Sequence, residues 1–110
     1  MPVVRIDYEK TVSEEEIKSL AEALRPIVAE AGNLPVEDVC VFAQPNYLTI
    51  GAAPIEIYVQ AGPGAIPDGD KEKMVKKIAT EMRLVKENKK LTTLLNISVV
   101  QMDWKFELEV

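Results

Sequence analysis

The stretch Met1-Pro2-Val3-Val4-Arg5-Ile6-Asp7-Tyr8 decides how the rest of the chain is read. Val4, Ile6 and Tyr8 alternate with Arg5 and Asp7, the pattern of a half-buried strand. Proline at the first position of a strand is tolerated there, because no ladder hydrogen bond is lost. It also has a chemical reading. If Met1 is removed, the Pro2 nitrogen becomes a secondary amine and a proton acceptor. Unperturbed α-amino groups titrate near 8 (about 7.7–8.0). Desolvation at the mouth of a buried strand lowers such a pKa, toward the range that suits a general base.

Working outward, Ser13 precedes Glu14, Glu15 and Glu16. Ser13 and Glu16 have the spacing of a capping box, and the acidic first turn complements a helix dipole. Ile17, Leu20, Ala21, Leu24, Ile27, Val28 and Ala31 then form a helical stripe, interrupted by Pro26, which is expected to kink or end the regular helix. Gly32-Asn33 is the stop signal. Val39, Val41 and Ala43 mark a second strand, and Tyr47–Ile50 a short extended piece. Ile55, Ile57, Val59 and Ala61 alternate in a third strand that follows Pro54. Pro67-Asp68-Gly69-Asp70 opens a second helix with Met74, Val75, Ile78, Met82 and Val85 on its apolar face. Leu95, Ile97 and Val99 give a fourth strand, and Trp104, Phe106, Leu108 and Val110 alternate in a terminal piece.

The order is thus β-α-β followed by β-α-β, with Pro2 and Pro54 at matching points 52 residues apart. The expected fold is α+β, a single domain over residues 1–110. Two half-repeats form a four-stranded mixed sheet with both helices on one face. The other face would present Arg5, Phe42, Tyr58 and Gln60. With the unpartnered terminal strand, it points to a homo-oligomer.

Composition narrows the chemistry. A net charge of −5 with no basic block argues against nucleic-acid binding. There is no apolar run of membrane-spanning length and no signal-peptide pattern, so no membrane association is expected. The single cysteine, Cys40, fits a reducing cytoplasm and reads as a small core hydrophobe. The chain has no histidine, which removes His-based triads and His metal sites. Neither a phosphate-binding glycine loop nor a dinucleotide fingerprint is present. No metal and no cofactor are expected.

The ordered run Gly32-Asn33-Leu34-Pro35, Val39 to Ala43, Pro45-Asn46-Tyr47-Leu48, Gly51, Pro54, Gly64 and Ile66 resembles the tautomerase superfamily. Within it, the branch of macrophage migration inhibitory factor fits better than the shorter four-oxalocrotonate tautomerases. Asp103-Trp104-Lys105-Phe106 is similar to the C-terminal Asp-Trp-Ser-Phe segment of malonate semialdehyde decarboxylases.

The resemblance implies a trimer with sites between subunits and an N-terminal proline as catalytic base or acid, which falls on Pro2. It implies substrate contacts near Asn33, Gly64, Asn96 and Ser98. The family's lysine after helix one is replaced by Asn33, and the arginine before that helix falls near Val12. The pocket isoleucine falls near Pro63, which has no N–H, so Gly62 or Gly64 would supply the amide. The arginine pair of the dehalogenase and decarboxylase branches has no counterpart in residues 62–66. Arg5 lies near Pro2 in sequence but on the opposite strand face, and Arg25 and Arg83 are expected on helix surfaces.

The function so implied is keto–enol tautomerisation of a small 2-oxo acid or enol in a cytoplasmic homotrimer. The alternatives are a non-catalytic binding module on the same fold, or hydration, decarboxylation or dehalogenation of a small unsaturated acid by the same base.

Overall fold

A computed structural model of the chain describes residues 2–62, 64–89, 95–101 and 109. The strands are β1 (Val3–Tyr8), β2 (Cys40–Pro45), β3 (Ile55–Ala61) and β4 (Leu95–Gln101). The helices are α1 (Glu14–Ala31) and α2 (Asp68–Lys89), with a short 3₁₀ turn at Val36–Asp38. Pro63 and the Asp103–Phe106 segment lie outside the described residues, as do Trp104, Phe106, Leu108 and Val110 of the terminal pattern.

The sheet order is β2-β1-β3-β4. The two outer pairs are parallel and the central pair, β1 with β3, is antiparallel. Each half-repeat therefore contributes one parallel pair joined through its helix, and the halves meet back to back at the centre. This is the mixed four-stranded sheet expected from the order of elements.

Strand alternation then assigns the faces. Val4, Ile6, Ile57 and Val59 are completely buried, and α1 and α2 lie side by side over them. Ile17, Leu20, Leu24, Ile27 and Val28 of α1 fill that layer with Met74, Ile78 and Met82 of α2. Such a layer excludes water from both helices and from one side of every central strand, which is the main favourable term in folding. On the other face, register places Arg5 between Phe42 and Tyr58, and Asp7 between Gln44 and Glu56. Neither α1 nor α2 covers them.

Local signals set the helix ends. The Ser13 hydroxyl accepts the Glu16 N–H at 3.2 Å, so the cap forms at the expected residue. Pro26 does not end the helix: α1 runs through it to Ala31. Pro26 is exposed, so the carbonyl it leaves without an intrahelical donor can be hydrated. At the C-terminus it is Asn33, with φ 52°, that takes the left-handed turn, while Gly32 stays at φ −91°. The Leu34 N–H reaches the Ala29 carbonyl at 2.9 Å and the Asn33 N–H reaches Glu30 at 3.1 Å. These are the two bonds of a Schellman stop with asparagine in the usual glycine place. Residues 47–50 form no strand; Tyr47, Leu48 and Ile50 are exposed there.

Candidate functional site

Pro2 sits immediately before β1, and its side chain is fully buried. Its carbonyl accepts the Cys40 N–H at 3.4 Å, tying the start of β1 to the start of β2. Val3 pairs with Gln60. Antiparallel pairing therefore brings Pro2 toward Ala61 and the glycine-rich turn that leaves β3. The Ala65 N–H closes that turn onto the Gly62 carbonyl at 3.1 Å.

The same turn meets the end of α1. A Cβ on Gly32 would lie 3.7 Å from the Ala65 carbonyl oxygen, so the two segments are in close approach. Between them and α2 opens a cavity of about 520 Å³. Asn33 and Gly64 both line it, with Glu30, Asp70, Lys73 and Lys77. Gly64 has φ 73°, a backbone state that favours glycine. Lys77 Nζ is held by Glu30 Oε1 at 2.8 Å, a bridge between α2 and α1 across the cavity mouth.

Two of the four residues expected to contact substrate are thus brought together, 31 positions apart in sequence. The other two are not with them. Asn96 and Ser98 stand on the uncovered face of the sheet, in register with Glu56 and Tyr58. The Asn96 side chain donates to Glu56 Oε1 at 3.2 Å. Within one chain, then, the sheet separates Asn33 and Gly64 from Asn96 and Ser98.

The cations fall elsewhere than a simple helix-surface reading implies. Arg25 is partly buried. Its Nε donates to the Val39 carbonyl at 3.0 Å and a terminal nitrogen donates to Val36 at 3.1 Å. It clamps the 3₁₀ turn to α1 and is committed to backbone. Arg83 is exposed, as expected. Arg5 is on the uncovered face, away from the Pro2 side of the strand. Lys73 and Lys77 carry no sequence signal beyond their i, i+4 spacing, which puts them on one side of α2. Only the packing of α2 against the end of α1 shows that this side borders a cavity.

Among the described residues, no group of three or more His, Cys, Asp or Glu side chains could hold a metal ion. Among them also, no helix is long and apolar enough to cross a membrane.

No family profile matches the chain, and no curated protein matches it. Solved structures do. Native Ps01740 has a TM-score of 0.72 at 21% identity, over 96% of this chain and 99% of that one. A wild-type fused 4-OT, described as an asymmetric trimer, has a TM-score of 0.67 at 14% identity, over 96% and 91%. A macrophage migration inhibitory factor-like protein from Entamoeba histolytica has a TM-score of 0.62 at 16% identity, over 96% and 95%. Identities this low speak to architecture, and the shared element order over nearly the whole of each chain shows that the protein has the tautomerase fold.

Proposed function

We propose that the protein is a keto–enol tautomerase of small 2-oxo acids, acting through the amine of Pro2 after removal of Met1 and assembled as a homotrimer. The observation that carries this reading is the position of Pro2. It immediately precedes β1, one of the two central strands of a tautomerase fold, and antiparallel pairing sets it toward Ala61 and the turn that carries Gly64, although Pro2 is not itself among the residues that line the Asn33–Gly64 cavity. The amine would take a proton from the carbon beside the substrate carbonyl and return it at the other terminus of the enolate. The negative charge that develops on oxygen needs fixed donors, which amides of the Gly62–Ala65 turn would provide. Asn33 would add a hydrogen bond. Asn96 and Ser98 would serve from a neighbouring subunit, since the sheet separates them from the cavity in their own chain. The trimeric fused 4-OT supports the choice of three copies.

The test is ketonisation of the enol of phenylpyruvate by protein whose N-terminus is verified by intact mass. Catalysis that is lost in Pro2→Ala and in protein retaining Met1 supports the reading. Equal rates for all three forms reject it.

A second reading is a non-catalytic binding module. It is favoured by the prior commitments of the candidate side chains. The Asn96 amide is taken by Glu56, and the Arg25 guanidinium is bound to the Val36 and Val39 carbonyls. In that case Pro2→Ala leaves ligand binding intact and no enol turnover is found. The two readings therefore separate in a single assay.

A further inference from the structure

The Asn33–Gly64 cavity is bordered by four charged residues, Glu30, Asp70, Lys73 and Lys77. They are not equally available. Lys77 is held by Glu30 at 2.8 Å. Lys73 makes no ion pair and no side-chain hydrogen bond among the described residues. Asp70 has no cation partner among them either. Two neighbouring lysines on α2 are engaged elsewhere, Lys71 with Asp68 at 3.0 Å and Lys76 with Glu72 at 3.3 Å. Neither lines the cavity. Among the described residues, the cavity thus has one uncommitted cation, Lys73.

Much of the remaining wall is apolar. Ile27 and Ala31 of α1 and Met74 of α2 form it, with Pro67 from the segment before α2. Ile27 and Met74 are buried core residues, so this wall is fixed by the packing of the two helices. A space of about 520 Å³ with apolar walls and a few charged groups has the size and make-up of a small-molecule site. Lys73 itself is exposed, and its flexible stem lets the ammonium swing over the opening.

We infer that this cavity selects acids with a single carboxylate and an apolar body, that Lys73 receives the carboxylate, and that Glu30 and Asp70 turn away a second negative charge. The inference rests on the proposed function for the choice of an acid as ligand, and it names the class of acid. A carboxylate leaving water needs a charge-assisted donor, which Lys73 supplies from α2. Asn33, on the opposite side of the cavity, carries no charge to offer. Lys73 offsets one negative charge. A second would face Glu30 and Asp70 with no cation to spare, because recruiting Lys77 breaks its bridge to Glu30. The apolar wall of Ile27, Ala31 and Met74 takes the uncharged remainder of the molecule.

The test titrates phenylacetate and phenylmalonate, which share a ring and differ by one carboxylate, into isotope-labelled protein followed by amide NMR at neutral pH. Neither acid has a keto group, so the outcome does not depend on whether Pro2 is a base; the enol assay alone decides that. Phenylacetate is expected to shift the amide signals of Gly64, Ala65 and Lys73, and to bind more tightly than phenylmalonate. Lys73→Gln is expected to weaken phenylacetate about tenfold, the worth of a charge-assisted hydrogen bond, and Lys73→Arg to retain it. Lys76→Gln removes the same charge outside the cavity and is expected to change nothing. Glu30→Gln frees Lys77 and is expected to bring phenylmalonate level with phenylacetate or ahead of it. The inference is overturned if phenylacetate leaves these signals unmoved, or if Lys76→Gln weakens it as much as Lys73→Gln does. It is overturned also if wild type prefers phenylmalonate.

Discussion

The two faces of the sheet obey different rules, although they are made from the same strands. On the helix side, Val4, Ile6, Ile57 and Val59 are wholly buried, and among the described residues no polar or charged residue is buried with them. On the other side the same strands offer Arg5, Asp7, Glu56 and Tyr58 in register. Moving one residue along β1 or β3 therefore crosses from a dry apolar layer to a surface of charge and hydrogen-bonding groups. The first face explains why the chain folds. The second ties β3 to β4 through the Asn96–Glu56 bond, and Asp7 Oδ1 without a hydrogen bond is a cost borne there.

That contrast can be broken most severely from the helix side. Ile57→Ala should destabilise by about 2–5 kcal/mol, because the surrounding layer cannot collapse fully into the space. Phe42→Ala on the other face should change the stability of the dissociated chain by less than about 0.5 kcal/mol. Urea denaturation at low protein concentration compares them, and equal losses would erase the distinction between the faces.

A smaller effect is expected where the helix layer reaches past the edge of the sheet. Arg25→Ala removes two charge-assisted bonds to the Val36 and Val39 carbonyls. The loss should be about 1.5–3 kcal/mol, with faster hydrogen exchange confined to the turn after α1. Arg25→Lys should recover only part of it, since an ammonium cannot span both carbonyls as a planar fork does.

The smallest effect sharpens the border of the cavity. Asn33→Gly should be neutral or stabilising by about 0.5–1 kcal/mol, because glycine adopts φ 52° without strain. If the Asn33 side chain also binds substrate, the same change raises KM while the melting temperature holds or rises. A variant that loses stability instead would show that the side chain, and not the backbone turn, keeps the helix stop in place.

Much of the fold is legible in the residues. The period-two runs around Ile6 and Ile57 and the helical stripe from Ile17 to Val28 mark the elements and the buried face. Ser13 marks the helix start. Three points are not legible, each for a physical reason. Pro26 reads as a break, but exposure lets water serve the carbonyl it abandons. Gly32-Asn33 reads as a glycine stop, yet which of two adjacent residues takes positive φ depends on how Leu34 seats. Arg25 reads as a surface cation because its partners are backbone carbonyls, which no side-chain pattern reveals.

The candidate site is legible only in part. Pro2 can be named from its place before the first strand. Asn33 and Gly64 come together through packing of a turn against a helix end. Lys73 borders their cavity because of how α2 lies on α1.

Pro2 is the centre of the proposed chemistry, and one measurement addresses it directly. The rate of phenylpyruvate enol ketonisation should be compared between protein beginning at Pro2, confirmed by intact mass, and folded Pro2→Ala of the same oligomeric state. Loss of a positioned general base is expected to slow the reaction by about 10²–10⁴-fold. Indistinguishable rates in the two proteins would contradict the assignment of Pro2 as the proton-transferring group.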